Sequence, residues 1–489
     1  MFNRMKKIFN KYNTIAVAAL LLFAGCKDYL DINDDPNNPT DATLDLILPV
    51  GISSVGIQVG GSYHNLGGFW SQYYTQSPDA GQYEDIDEYN ITPDFFDREW
   101  TDIYAGGIND LETIRNKAMA DGEGNYYLIA TLVQAYGYHF MADLYDEVPY
   151  SDALGGLDAN FTPKWDKGSA IYTGLLKSID DAMDMQASTP GTTPGADDLV
   201  FGGDMSQWIG FANTLKLRIH MRQSATPQGD QAAIQALVAA NNFITQDAMM
   251  TAFADEQNKR NPYYEIQVDR LGGVNQAASN SILKYLVDNT DDRIDALFVQ
   301  GGTGQWVAKE QGDFANRDIS FGDLATPNIT ATHPVYFFTL AEVNFLIAEA
   351  NLRFNGGSGA KAAYDAGIDA SFNMLGVPGS ATYHGTGGAY EYNSGGTMDE
   401  QWEQIMLQKW VAMCNSQNLE AFFEMNRTGY PKYATGIGDP GELTISIGSV
   451  LSPGKGPKRL LFPDVEVSRS TNTPSQVVGG IGEKVWWSK

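Results

Sequence analysis

Five histidines, two cysteines and 60 acidic residues are the groups from which this 489-residue chain could assemble a catalytic or metal centre. His64, His139, His220, His333 and His384 are scattered, with no H-E-x-x-H or other close ligand spacing, so a zinc site lacks its usual trace. Gly436-Ile437-Gly438-Asp439-Pro440-Gly441 matches G-x-G-x-x-G as a string. Pro440 and the surrounding loop composition make it a turn, without the strand-turn-helix context that a dinucleotide fingerprint needs. There is no Walker-type loop and no G-x-S-x-G elbow. The alternation Asp31, Asn33, Asp35, Asn37 has a calcium-loop look, but Pro36 replaces the sharp-turn glycine and Ala42 the bidentate glutamate. Hydrolysis of a glycosidic bond needs only two carboxylates at the right separation, which a sequence this acidic does not exclude. The expectation is a protein without catalytic residues, metal or cofactor.

Flat side chains are the other resource, with 25 Tyr, 23 Phe and 9 Trp. Three long glycine- or aromatic-rich segments, 51–94, 301–332 and 376–397, read as loops. Loops of such length inside a compact domain are usually functional. The first contains Trp70, Gln72, Tyr73, Tyr74 and Tyr83, the second Trp306, Asn316 and Arg317, the third Tyr383, His384, Tyr390 and Tyr392. Each ring could touch a ligand or pin its own loop, and Trp70 and Trp306 are the foremost candidates for contact.

The elements that would hold these loops are helical from about residue 100 onward. Tyr336, Leu340, Val343, Ile347, Ala350 and Phe354 alternate steps of four and three along one face. Thr339 with Glu342 forms a capping-box pair, and Phe338 with Val343 a staple. A second helix starts at Asp204, with Gln207 at the reciprocal cap position, and runs through Trp208, Phe211, Leu215, Ile219 and Arg222. A third carries Trp402, Ile405, Met406, Lys409 and Met413, and the chain breaks near Gly429 and Pro431. The stretch Tyr126 to Met141 is apolar on nearly every side, as a helix buried between others would be. Trp100, Tyr104, Trp208, Trp402 and Trp410 fall at helical spacing and are assigned to the core. Arg218 lies on or beside an apolar stripe, so it should pair with a carboxylate or with helix carbonyls.

At the N-terminus, basic residues Arg4 to Lys11, an apolar run Ile15 to Phe23 and then Ala24-Gly25-Cys26 read as an export signal. The run is shorter than the ~20 residues that span a bilayer. Leu22-Phe23-Ala24-Gly25-Cys26 has the form of a bacterial lipobox, which makes Cys26 the lipid anchor and leaves Cys414 a lone buried thiol. The expected organisation is a signal peptide over 1–25, an extended tether over 26–45 and one domain over 46–489. Removing the signal leaves 28 basic against 60 acidic residues, a formal charge of −32. Such a surface repels phosphate backbones and anionic lipid, so nucleic acid is excluded as a partner.

Asp28-Tyr29-Leu30-Asp31-Ile32-Asn33 after the lipobox and Asp143-Leu144-Tyr145-Asp146-Glu147-Val148-Pro149-Tyr150-Ser151 resemble stretches of the SusD/RagB family. In the second stretch Asp146-Glu147 replaces the family's usual Gly-Asp. The helix from Trp208 to Arg218 with Arg222, then Glu342 to Ala350, Gln408-Lys409-Trp410, Glu424 to Pro431, and Arg459 to Pro463 with Glu466 and Asn472 follow in the family's order. The resemblance implies a mainly α fold of tetratricopeptide-like helix pairs with long loop-rich insertions that bind the ligand. It further implies a cell-surface lipoprotein of the outer membrane, delivering oligosaccharide to a SusC-like TonB-dependent barrel, with peptide as the alternative ligand. Sugars present an apolar ring face and a polar edge, which suits the aromatic and amide content of the three loops.

Overall fold

The computed structural model describes residues 42–158, 160–434 and 442–489. Cys26, the acidic stretch 31–37 and the glycine string 436–441 lie outside the described residues, as does all of the tether up to residue 41.

Helices dominate. Helix α1 (Leu44–Gly60) and helix α2 (Ser62–Trp70) come first, so the loop expected over 51–94 is helical as far as Trp70. The misreading came from glycines that here make room for neighbours. A Cβ on Gly67 would lie 2.3 Å from the backbone nitrogen of Leu419, so α2 lies directly against the chain there. By length and composition the stretch Leu44–Trp70 could cross a membrane, but half of its apolar window is buried inside the fold, where it serves as a core helix pair.

Helices α3 (Asn109–Asp121), α4 (Gly124–Tyr145) and α5 (Gly168–Ser188) pack side by side with α4 in the middle. Every residue of α4 is buried, in keeping with its apolar character on nearly every side. Then come α6 (Met205–Arg222), α7 (Gln231–Ala240) and α8 (Asn280–Asp288). The last group is α9 (Leu340–Phe354), α10 (Ala360–Met374), α11 (Met398–Met413) and α12 (Asn418–Thr428). Helix α9 packs on both α10 and α11, which gives the paired architecture expected.

The caps are partly as anticipated. Asp204 accepts from the amides of Ser206 and Gln207, but the Gln207 side chain turns to Thr245 instead of back to the cap. Thr339 accepts from the Glu342 amide at 3.1 Å. Glu342 does not complete the box, because its carboxylate is taken by Arg218. Tyr336 is not on this helix. It belongs to strand β8 (Val335–Phe338), antiparallel to β4 (Ala248–Met250). A full capping box does open α11, between Thr397 and Glu400.

The remaining strands form two-residue and three-residue ribbons: β1 (Tyr74–Gln76) with β5 (Gln276–Ala278), β2 (Glu147–Pro149) with β3 (Trp165–Lys167), and β6 (Phe298–Val299) with β7 (Thr326–Pro327). Asp146, which leads into β2, has φ +67°, a conformation that glycine adopts most easily. Its carboxylate accepts from the Trp486 amide at 2.8 Å and faces Arg459 at 3.5 Å, so the side chain offsets the strain.

Candidate ligand-binding site

Most of the expected contact residues face inward. Trp70 is 1% exposed, packs on Phe422 and donates its indole N–H to the Ile86 carbonyl. Tyr73 stacks on Trp410 and donates to that residue's carbonyl at 2.5 Å. Tyr74 donates to Asn415 and lies over Tyr263. Tyr83 accepts from Gln267 at 2.7 Å beside Phe69. All four rings are buried, which removes them as ligand platforms and makes them pins of their own segment. The third loop behaves likewise: Tyr383 donates to the Thr290 carbonyl, Tyr390 to Asp291 and Tyr392 to Gln401, while His384 pairs with Asp369. Tyrosine rings buried this far leave no open face on which a sugar could stack.

What these pins build is a junction of segments far apart in sequence. Gln72, buried and with φ +58°, accepts from Ser281 Oγ at 2.6 Å and from the Thr444 amide at 3.0 Å, and donates to the Thr444 carbonyl at 2.5 Å. One amide thus ties the first loop to α8 and to the segment near residue 444. The Gln72 amide is taken up by these bonds, which position the face. Asp87 does the same between the first and second loops. It accepts from Thr75 Oγ1 at 2.7 Å, the Gln76 amide at 3.0 Å, the Gly312 amide at 3.1 Å and Gln311. Burial pushes its carboxyl up to about 6 in spite of these donors.

Outside this junction the second loop keeps side chains at the surface. Trp306 is half-buried against the core edge, Asn316 is exposed, and Arg317 is exposed with a guanidinium nitrogen 3.6 Å from Asp79 of the first loop. The loop itself is held by Lys309, whose ammonium reaches Asp313 at 3.0 Å and the Asn316 carbonyl at 2.6 Å. Beside it opens a cleft of about 210 Å³ lined by Asn280, Ser281, Lys284, Tyr285, Glu310 and Glu442, among others. Glu310 accepts from Asn280 at 2.5 Å, and Lys284 pairs with Asp288.

Tyr285 was not anticipated. It is half-buried, parallel to Tyr390 at 6.2 Å, and Tyr390 in turn stacks on Tyr383, so the third loop braces a ring that reaches the cleft. The available signal was an aromatic residue on the polar side of a short helix whose other side is Ile282, Leu283 and Leu286. Among the described residues no cluster of three or more His, Cys, Asp or Glu could hold a metal ion.

A family model described as SusD-like, starch-binding associating with outer membrane, matches residues 39–463. Among solved structures, a SusD homolog from Bacteroides uniformis superimposes with a TM-score of 0.71 at 21% identity, covering 91% of this chain and 99% of that one. A chitin-binding SusD homolog from Flavobacterium johnsoniae gives 0.73 at 22% identity, covering 90% and 98%. Identities this low speak for a shared fold. No curated protein matches the sequence.

Proposed function

The chain belongs to the SusD-like family of outer-membrane nutrient-binding proteins, and from that premise we propose that it captures oligosaccharide at the cell surface and delivers it to a SusC-like TonB-dependent barrel. Cys26 carries the lipid anchor in this reading. The observation that supports capture is the open cleft at Tyr285 beside the loop of Trp306, where an aromatic ring and the polar edges of Asn280, Ser281 and Glu310 share one mouth. An aromatic face with hydrogen-bonding groups at its border is the chemistry that recognises a pyranose ring. Glu310 and Glu442 are not offset by Lys284, which pairs with Asp288, so the cleft disfavours anionic saccharides. A peptide with basic residues is the second ligand class, favoured by those same carboxylates.

Binding of the purified mature domain to an array of neutral, anionic and amino-sugar glycans beside basic peptides tests this reading. Retention of neutral glycans by the native protein, weakened in Tyr285→Ala, supports it. Retention of peptides alone would move the function to the second class.

A further inference from the structure

We infer that the chain carries a second ligand cleft, on its helical side, shaped for a short neutral saccharide. The cleft has a volume of about 460 Å³ and shares no lining residue with the one at Tyr285. Helix α4 is its floor, α3 and α5 are its walls, and the loop after β2 closes one end. The volume lies within the range of small-molecule sites.

The second observation is an unspent hydroxyl. Tyr138 is 3% exposed and lines the cleft, yet its Oη has no hydrogen-bond partner among the described residues. A hydroxyl with no protein partner at the wall of a cleft is free to bond what enters it. Tyr138 lines the cleft, so a molecule entering there is what its hydroxyl can meet. Burial raises its pKa, which keeps the proton in place and leaves a hydroxyl able both to donate and to accept.

The rest of the lining is fixed in advance. Tyr150 meets Tyr138 edge to face at 4.9 Å and settles onto α5 at Gly174, where a Cβ would lie 2.5 Å from the ring. Arg115 donates to Thr131 at 3.0 Å, to Glu112 at 2.5 Å, to Gln134 at 2.9 Å and to Tyr127 at 3.2 Å, so its charge is answered within the wall. Among the described residues Glu112 and Arg115 are the only charged groups lining the cleft, and they pair with each other at 2.5 Å. Ser151 anchors the closing loop through two donations to Asp166, at 2.7 and 2.8 Å. Leu154 on that loop holds φ +64°, a conformation disfavoured for a branched side chain, with its side chain among the lining. Apolar surface from Leu154, Leu175 and the Tyr150 ring, bordered by hydroxyls and amides, fits an uncharged polyhydroxylated ring.

The test is a methyl NMR titration of the mature chain with maltotriose, cellotriose, mannotriose and triacetylchitotriose, each at millimolar concentration, reading the Leu154 and Leu175 methyls. The expected result is saturable shifts at both residues with at least one of the four. Tyr138→Phe, which removes one oxygen and nothing else, should weaken that response about tenfold, the worth of one hydrogen bond. Ser178→Trp, which fills the cleft, should abolish it, and Tyr285→Ala at the loop cleft should leave it unchanged. Silence of both methyls with all four probes overturns the inference, as does an undiminished response in Tyr138→Phe and Ser178→Trp. Neither result bears on the loop cleft, whose binding is read separately by Tyr285→Ala.

Discussion

The helical side and the loop side of this molecule are both stitched together by buried polar groups, but by different kinds. Between the helices the stitches are ions. Arg218 pairs with Glu342 at 2.6 Å, Arg222 with Glu420 at 2.5 Å and Glu424 at 2.8 Å, Lys409 with Glu424 at 2.6 Å, and Arg427 with Glu349 and Glu424 at 2.5 and 2.6 Å. Burial opposes the charge on Glu424, yet Arg427, Lys409 and Arg222 outweigh it and hold that carboxyl well below the usual range. Beneath the loops neutral amides carry more of the stitching, Gln72, Gln76, Gln267, Gln276 and Gln311, beside the charged groups Asp87, Lys309 and the Arg293–Asp291 pair. Ion pairs demand one geometry and punish the loss of either partner, so they lock the helices of a framework. Amides donate and accept at once, which lets them fix loops of varied course without introducing charge.

Breaking the framework should therefore cost most. Arg222→Met leaves Glu420 and Glu424 short of a partner and should destabilise the protein by roughly 3 to 5 kcal/mol in urea denaturation. Trp208→Ala, which removes a fully buried ring and leaves Asp198 without its indole donor, should fall in the same range of about 3 to 5 kcal/mol. The loop junction should be softer. Asp87→Asn turns an acceptor of several N–H and O–H groups into a donor facing donors, for about 2 kcal/mol. Its mark should be local, with faster amide exchange at Thr75, Gln76 and Gly312 before any change in α4.

The helical side also carries a dependence on pH. Burial pushes Asp143 up to about 7, against Arg222 and the donors Tyr172 and Trp487. A carboxyl whose folded pKa is raised contributes stability below its unfolded value and loses it as pH rises through the folded one. Wild type should accordingly lose stability relative to Asp143→Asn between about pH 4 and pH 7. A constant difference across that window would show that Asp143 stays charged throughout. Smallest of all, Asp146→Gly should be close to neutral, since relief of its φ offsets loss of the Arg459 contact, whereas Asp146→Ala should cost about 1 kcal/mol in the same assay.

The framework was legible in the sequence and the cleft at Tyr285 was not, for a physical reason. The pairing of Arg218, the burial of α4 and the caps at Asp204 and Thr339 all follow from local spacing or from the cost of an unpaired buried charge. An aromatic residue in a glycine-rich stretch has no such signature. Trp70 and Trp306 look alike in sequence, yet Trp70 ends a helix whose glycines press it into the core, while Trp306 sits on a loop at the core's edge. Tyr285 escaped notice because its exposure depends on the third loop stacking behind it, a contact more than a hundred residues away in the chain.

Capture without chemistry by the loop face is the central claim, and recovery of the ligand tests it most directly. The mature protein would be incubated for a day with an oligosaccharide that it binds, and the sugar then weighed by mass spectrometry. The same binding would be measured in a Trp306→Ala, Tyr285→Ala double variant. The account predicts intact oligosaccharide, saturable binding of micromolar affinity or weaker, about −8 kcal/mol, and loss of that binding in the double variant with its melting temperature nearly unchanged. Shortened oligosaccharide would contradict it by revealing a pair of carboxylates at work, with Glu310 and Glu442 the first to replace. Full binding by a folded double variant would contradict it by placing the ligand elsewhere on the molecule.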